Sequence, residues 1–210
     1  MYAFNLNNKQ VNERAKMEEQ FPHPPPIEWY ETFPLPKGWE LIKGKLSNKD
    51  VLEIGCASGW ISFHAMREMA RCIATDIFST HVLPSIKFCL ADKESLPFED
   101  NTYDYVLTSN VLHHGDLEVT TNEIIRVLKP GGIFISFIEP CIPNDYDEAK
   151  YLKEYLHGEL DAGIDEHRPN LIQWNNALSK FSSYEIYDSN TLVPIAVESC
   201  HQGICIKAIK

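Results

Sequence analysis

The chain has 210 residues, 44% of them hydrophobic and 23% charged, with a formal net charge of -11. That length suffices for one domain with a buried core and some decoration. The negative balance argues against a surface built to grip a phosphate backbone, and no stretch approaches the roughly 18 apolar residues of a membrane span.

Residues 5–20 are polar and helix-prone, with a weak apolar face at Val11, Ala15 and Met17. The run Phe21-Pro22-His23-Pro24-Pro25-Pro26 can be neither helix nor central strand. Residues 27–46 carry Trp29, Tyr30, Phe33 and Trp39 among Pro34, Pro36 and Gly38. Aromatic rings in so broken a segment need a surface to pack on. Residues 1–46 are therefore read as an arm over a main domain of residues 47–210.

From residue 50 the pattern becomes regular. A strand over 51–54 runs into the small-residue turn Gly55-Cys56-Ala57-Ser58-Gly59, which opens an amphipathic helix over 60–70. A second strand, 72–75, ends at Asp76. The step from Asp76 to Ile86 is too short for a full crossover helix and holds one turn or an irregular segment. Strands three and four fall at 86–90 and 103–108. Leu117, Ile124, Ile125 and Leu128 lie at helical spacing, and that helix should stop at Lys129-Pro130-Gly131-Gly132. A fifth strand covers 133–138. An insert over about 140–182 holds helical stretches at 147–157 and 170–181, and closing strands follow at 184–187 and 204–209. The fold class is α/β. The pattern describes a Rossmann-like, mostly parallel sheet of seven (or six) strands, with one antiparallel strand at the end and helices on both faces. The six cysteines (56, 72, 89, 141, 200, 205) include no Cys-x-x-Cys pair. They read as reduced, mostly buried thiols. With no apolar secretion signal at the N-terminus, the expectation is a cytoplasmic protein.

Strand, carboxylate, tight turn and helix in succession suit a nucleoside-bearing cofactor. Small residues let the backbone approach the ligand, and a carboxylate can take up hydroxyls. A dinucleotide fits poorly. Its fingerprint is Gly-x-Gly-x-x-Gly, and Ala57 and Trp60 stand where the second and third glycines belong. Glu53 would also repel phosphate.

Four blocks resemble the class I S-adenosylmethionine-dependent methyltransferases, specifically the methyltransferase type 11 group. They are the run from Val51 to Gly59, Asp76 at the end of strand two, the stretch Ala91 to Asp104 with its Leu96-Pro97-Phe98, and Glu123 to Gly132 with its Leu128-Lys129-Pro130-Gly131-Gly132. Together they cover about residues 47–139. The resemblance implies S-adenosyl-L-methionine as cofactor and S-adenosyl-L-homocysteine as product. It implies that Glu53 and the backbone of Gly55, Cys56, Ala57 and Gly59 cradle the methionine part. Asp76, with Ile77 beside it, would take the ribose hydroxyls. Asp92 and the amide of Lys93 would meet the adenine, and Ser109 and Asn110 would face the methionine end. Ala57 departs from the family's glycine. Its methyl is tolerated if the backbone there stays out of the left-handed region.

His113 and His114 follow strand four, beside the transferred methyl in the family, and are the candidate bases. Alternatively one packs under the loop and the other caps a helix. No metal site is expected. Adjacent residues point different ways on regular backbone, and Cys200, His201 and Cys205 have no second pair for zinc. Glu139 could touch the acceptor or pair with a lysine. Glu166, His167 and Arg168 could line the acceptor pocket or form a solvated cluster, and the arm's aromatics could wall it or simply pack. The expected activity is methyl transfer to a small-molecule acceptor by in-line displacement, with neither nucleic acid nor membrane as partner. The alternatives are an RNA or protein acceptor, or a binding subunit that has lost turnover.

Overall fold

Seven apolar runs become seven strands: β1 (Asp50–Ile54), β2 (Arg71–Asp76), β3 (Lys87–Leu90), β4 (Tyr103–Thr108), β5 (Leu128–Glu139), β6 (Ser183–Asp188) and β7 (Ile204–Ile209). The computed structural model describes residues 25–77, 82–155, 166–195 and 203–210. The strands form one sheet in the order β3-β2-β1-β4-β5-β7-β6. All neighbours pair in parallel as far as β5, and β7 runs antiparallel to both β5 and β6. The central strands are nearly continuous hydrophobic runs because both of their faces are covered.

Among the described residues five α-helices accompany the sheet: α1 (Ile27–Thr32), α2 (Trp60–Arg67), α3 (Leu117–Val127), α4 (Glu148–Tyr155) and α5 (Leu171–Leu178). On one face Leu52, Val106 and Phe134 pack with Ile124 of α3 and Trp174 of α5. On the other, Val51, Leu107 and Phe137 pack with Ile61 and Ala65 of α2 and with Trp39. Trp39 belongs to a short 3-10 helix, Lys37–Leu41, and its ring lies 5.9 Å from that of Phe137. Tyr30 of α1 is fully buried, and its hydroxyl donates to the Ser58 carbonyl at 2.8 Å. Aromatics of the proline-broken segment thus reach both the sheet and the turn after β1. The helix expected over 5–20 lies outside the described residues.

Several boundaries move. Helix α2 stops at Arg67, and Met69 then takes a left-handed φ of +63°. Helix α3 stops at Val127, and β5 begins at once. Lys129, restricted by the following Pro130, is held extended. The Lys129-Pro130-Gly131-Gly132 run is therefore an irregularity inside β5 rather than a loop before it: Leu128 pairs with Tyr103, and Ile133 with Tyr105. Gly131, at φ +74°, supplies the bend. Between Asp76 and Ile86, the described part is bend and turn. In the insert, Asn170 caps α5 through a capping box with Gln173.

The cysteines require a correction. Cys56, Cys72, Cys89 and Cys205 are free thiols, but Cys141 is disulfide-bonded. Linear spacing does not report which cysteines the fold brings within bonding reach.

Candidate active site

Strand β1 delivers Glu53 to the N-terminus of α2, where the N-cap is Gly59 and has no side chain to offer. The Glu53 carboxylate fills that role. It accepts from the Ser62 amide at 2.8 Å and from the Ser62 hydroxyl. Burial pushes its pKa up to about 8, against the opposing pull of Ser62.

The turn between β1 and α2 has three left-handed residues: Gly55 (φ +67°), Ala57 (φ +45°) and Gly59 (φ +80°). A Cβ on Gly55 would fall 2.2 Å from Val111, and one on Gly59 would fall 2.7 Å from Ile86. Both positions therefore favour glycine for φ, and Gly55 needs it for space as well, whereas at Gly59 the near atom is the movable end of the Ile86 side chain. Ala57 sits in the left-handed region without being glycine. Its amide donates to Asp76 Oδ2 at 2.8 Å, while the Ile77 amide donates to Oδ1 at 2.7 Å. Asp76, only 7% exposed at the end of β2, thereby ties two strand ends together.

Asp92 closes a tight turn by accepting from the Glu94 amide at 2.9 Å. Lys93 Nζ lies 3.6 Å from Glu94. Ser109 and Asn110 leave the end of β4, and the Asn110 amide donates to the Ile138 carbonyl at 2.7 Å. Just before them the buried Thr108 hydroxyl has no hydrogen-bond partner among the described residues. These groups gather at the carboxyl ends of β1, β2, β3 and β4. Strand order reverses between β1 and β4, and an open α/β sheet binds ligands in that crevice. Carboxylates beside strained, small-residue backbone fit a cationic, hydroxyl-bearing ligand.

The turn after β4 builds a second polar centre. Glu139, fully buried in β5, accepts from the amides of Val111 and Leu112, from the Ser136 hydroxyl at 2.9 Å, and from His113 Nδ1 at 2.9 Å. Burial opposes ionisation of Glu139, but His113 and the two amides outweigh it and hold its pKa below the ordinary value. Burial in turn lowers the pKa of His113. The pair is a carboxylate and a neutral imidazole whose Nδ1–H points at the carboxylate. His114 lies against it, with ring centroids 4.1 Å apart. A cleft of about 540 Å³ opens here, lined by His113, Asp116, Glu148, His167, Gln173 and Lys180 among others. The carboxylates of Glu53, Asp76 and Asp92 are not in its wall.

A family model described as "methyltransferase domain" matches residues 52–136. A probable phthiotriol/phenolphthiotriol dimycocerosates methyltransferase 2 of Mycobacterium ulcerans is 34% identical over 144 residues, 59% of this chain and 56% of that protein. The mitochondrial arginine-hydroxylase NDUFAF5 of Mus musculus is 39% identical over 94 residues, covering 40% of this chain and 27% of that one. The chain thus spans about half or less of the length of these curated relatives. Among solved structures, geranyl diphosphate C-methyltransferase from Streptomyces coelicolor aligns with a TM-score of 0.62 at 14% identity, over 82% of this chain and 74% of the other. At that identity the likeness concerns the fold alone.

Every residue expected at the cofactor end, from Glu53 to Asn110, reaches the same end of the sheet. Sequence reasoning offered two roles for Glu139, acceptor contact or a lysine pair, and the structure gives it a third as the partner of His113. Arg126 was missed altogether. Its guanidinium holds Glu123, the carbonyls of Leu96 and Phe98, and Asp100. The signal was present, since the Leu96-Pro97-Phe98 block has no helix or strand of its own and needs an external clamp.

Proposed function

We propose that the protein is an S-adenosylmethionine-dependent methyltransferase acting on a small-molecule acceptor. The observation that carries this reading is Asp76. Its carboxylate is buried at the end of β2, across a turn of left-handed backbone at Gly55, Ala57 and Gly59, beside the point where strand order reverses. On this reading Asp76 and Ile77 meet the ribose, and Asp92 with Lys93 meets the adenine. Gly55, Cys56, Ala57, Gly59, Ser109 and Asn110 surround the methionine end. Glu53 supports that end from behind, by fixing the start of α2.

The bound sulfonium supplies an activated methyl carbon. The chain's task is then to align the acceptor with it and to exclude water. The cleft beside His113 is of ordinary size for a small-ligand pocket, and any proton the acceptor must lose is released within it. Of the two curated relatives named above, one is a probable phthiotriol/phenolphthiotriol dimycocerosates methyltransferase, which favours a small-molecule acceptor over RNA, and the other is an arginine-hydroxylase. The negative net charge points the same way.

Titration calorimetry with S-adenosyl-L-homocysteine tests the cofactor half. Saturable binding is expected, and Asp76→Ala should weaken it at least about tenfold by removing charge-assisted hydrogen bonds. Undiminished binding to that variant would overturn the assignment of Asp76.

A further inference from the structure

We propose that His113, His114 and Glu166 form a binding site for one divalent transition-metal ion at the edge of the cleft. One ligand atom from each lies within 4.8 Å of the other two. His113 Nε2 and Glu166 Oε2 are 3.6 Å apart. Two ligands on one zinc-like ion, each about 2.1 Å from it, stand roughly 3–3.5 Å apart. Side-chain movements of about an ångström therefore close the set around a common centre.

The surroundings are those of a metal site. His113 Nδ1–H is taken by Glu139, which fixes the tautomer and leaves the Nε2 lone pair facing Glu166. A carboxylate behind a ligating imidazole is the usual outer shell of such a site. Glu166 is itself oriented, because Arg168 donates to its Oε2 at 2.5 Å. The backbone holds the ligands in register. His114 and Glu166 form an isolated antiparallel bridge, and the His167 amide donates to the His113 carbonyl at 2.9 Å. Among the described residues of the cluster and the cleft, the carboxylates of Asp116, Glu118, Glu139, Glu148 and Glu166 outnumber the cations Arg168 and Lys180, an imbalance that suits a dication.

Two imidazoles and one carboxylate favour zinc, iron, manganese or cobalt over magnesium and calcium, which prefer oxygen alone. Three protein ligands leave positions open, and His113 places them at the cleft. An oxygen-bearing ligand there would be coordinated and its hydroxyl acidified. For a methyl acceptor, the proton would pass to solvent as the O–CH3 bond forms and the S–CH3 bond of the sulfonium breaks. That last role rests on the methyltransferase reading, whereas ion binding does not.

The test is titration of the whole protein with Co²⁺, read by its visible d–d absorption and by calorimetry, with Zn²⁺ as competitor. The expected result is saturation at one equivalent, at least about tenfold weaker binding in Glu166→Gln and in His114→Ala, and a loss of about 10–100-fold in Glu139→Gln. Thermal melts check the fold of each variant. Glu166→Gln, a near-isosteric change at the rim, decides the matter if another variant does not fold. Absence of saturable Co²⁺ binding overturns the proposal, as does binding unaffected by Glu166→Gln. S-adenosyl-L-homocysteine binding, measured separately, distinguishes the two failures: cofactor without metal leaves the methyltransferase reading standing, and metal without cofactor leaves the ion site standing.

Discussion

Ala57 shows how much a single methyl can report. Its φ of +45° places an L-residue in left-handed backbone, at a cost of roughly 1–2 kcal/mol relative to the right-handed region. The strain is held by the Ala57 amide bond to Asp76, so it sits on the proposed ribose contact. Ala57→Gly should stabilise the protein by about 0.5–1 kcal/mol, part of the relief being offset by the greater freedom of glycine in the unfolded chain. A urea melt that shows destabilisation would contradict this account.

Glu53 makes a pH-dependent prediction at the same scale. Its pKa in the folded state, about 8, lies above the ordinary glutamate value of 4.5. Below pH 4.5 the group is protonated in both states and costs nothing. Between 4.5 and 8 the unfolded chain releases the proton and the folded one keeps it, so stability falls with rising pH by up to about 1.4 kcal/mol per unit. Above 8 the loss is complete. Glu53→Gln removes this slope, and denaturant titrations of both proteins from pH 5 to 9 should show the difference. Equal slopes would mean that Glu53 is ionised in the fold. The acidic residue after an apolar strand was legible in the sequence. Its service as the cap of α2 was not, because that depends on the helix starting at a glycine nine residues before Glu68, with Ser62 turned back toward β1.

Among the elements, the strands were the most legible, since parallel strands covered on both faces must be apolar throughout. Their ends were less so. The Lys-Pro-Gly-Gly run has the composition of a turn, yet pairing with Tyr103 draws Leu128 into the sheet and makes the run part of β5. Lys129 then bonds Asp50 and Asp104 at 2.8 and 3.0 Å, joining three strands at their amino ends. Arg126 does comparable work for α3 by gripping the irregular segment from Leu96 to Asp100. Arg126→Met should cost about 2 kcal/mol through hydrogen bonds lost to charged and carbonyl partners, and should speed amide exchange in residues 96–100. A change below about 0.5 kcal/mol would show the clamp to be decorative.

For the whole molecule, ligand binding at the strand ends should register as stability. S-adenosyl-L-homocysteine at about 100 times its Kd adds about 2.7 kcal/mol, which for a protein of this size raises Tm by about 5–10 °C. No shift at saturating ligand would mean that nothing binds at the crevice.

The order of apolar strands and helices, the small-residue turn after β1 and the acidic residues at strand ends are all local patterns. The sequence alone therefore determined the α/β architecture and the end of the sheet at which the proposed cofactor residues gather. Tertiary structure alone decided the surroundings of His113. On regular backbone, adjacent histidines diverge. In the turn after β4 their rings lie 4.1 Å apart, with Glu139 brought from 26 residues away and Glu166 from an insert beyond α4. No linear spacing encodes that meeting, because it depends on how β5 and the insert return to the end of the sheet. The disulfide state of Cys141 is hidden for the same reason: bonding reach is a property of the folded chain.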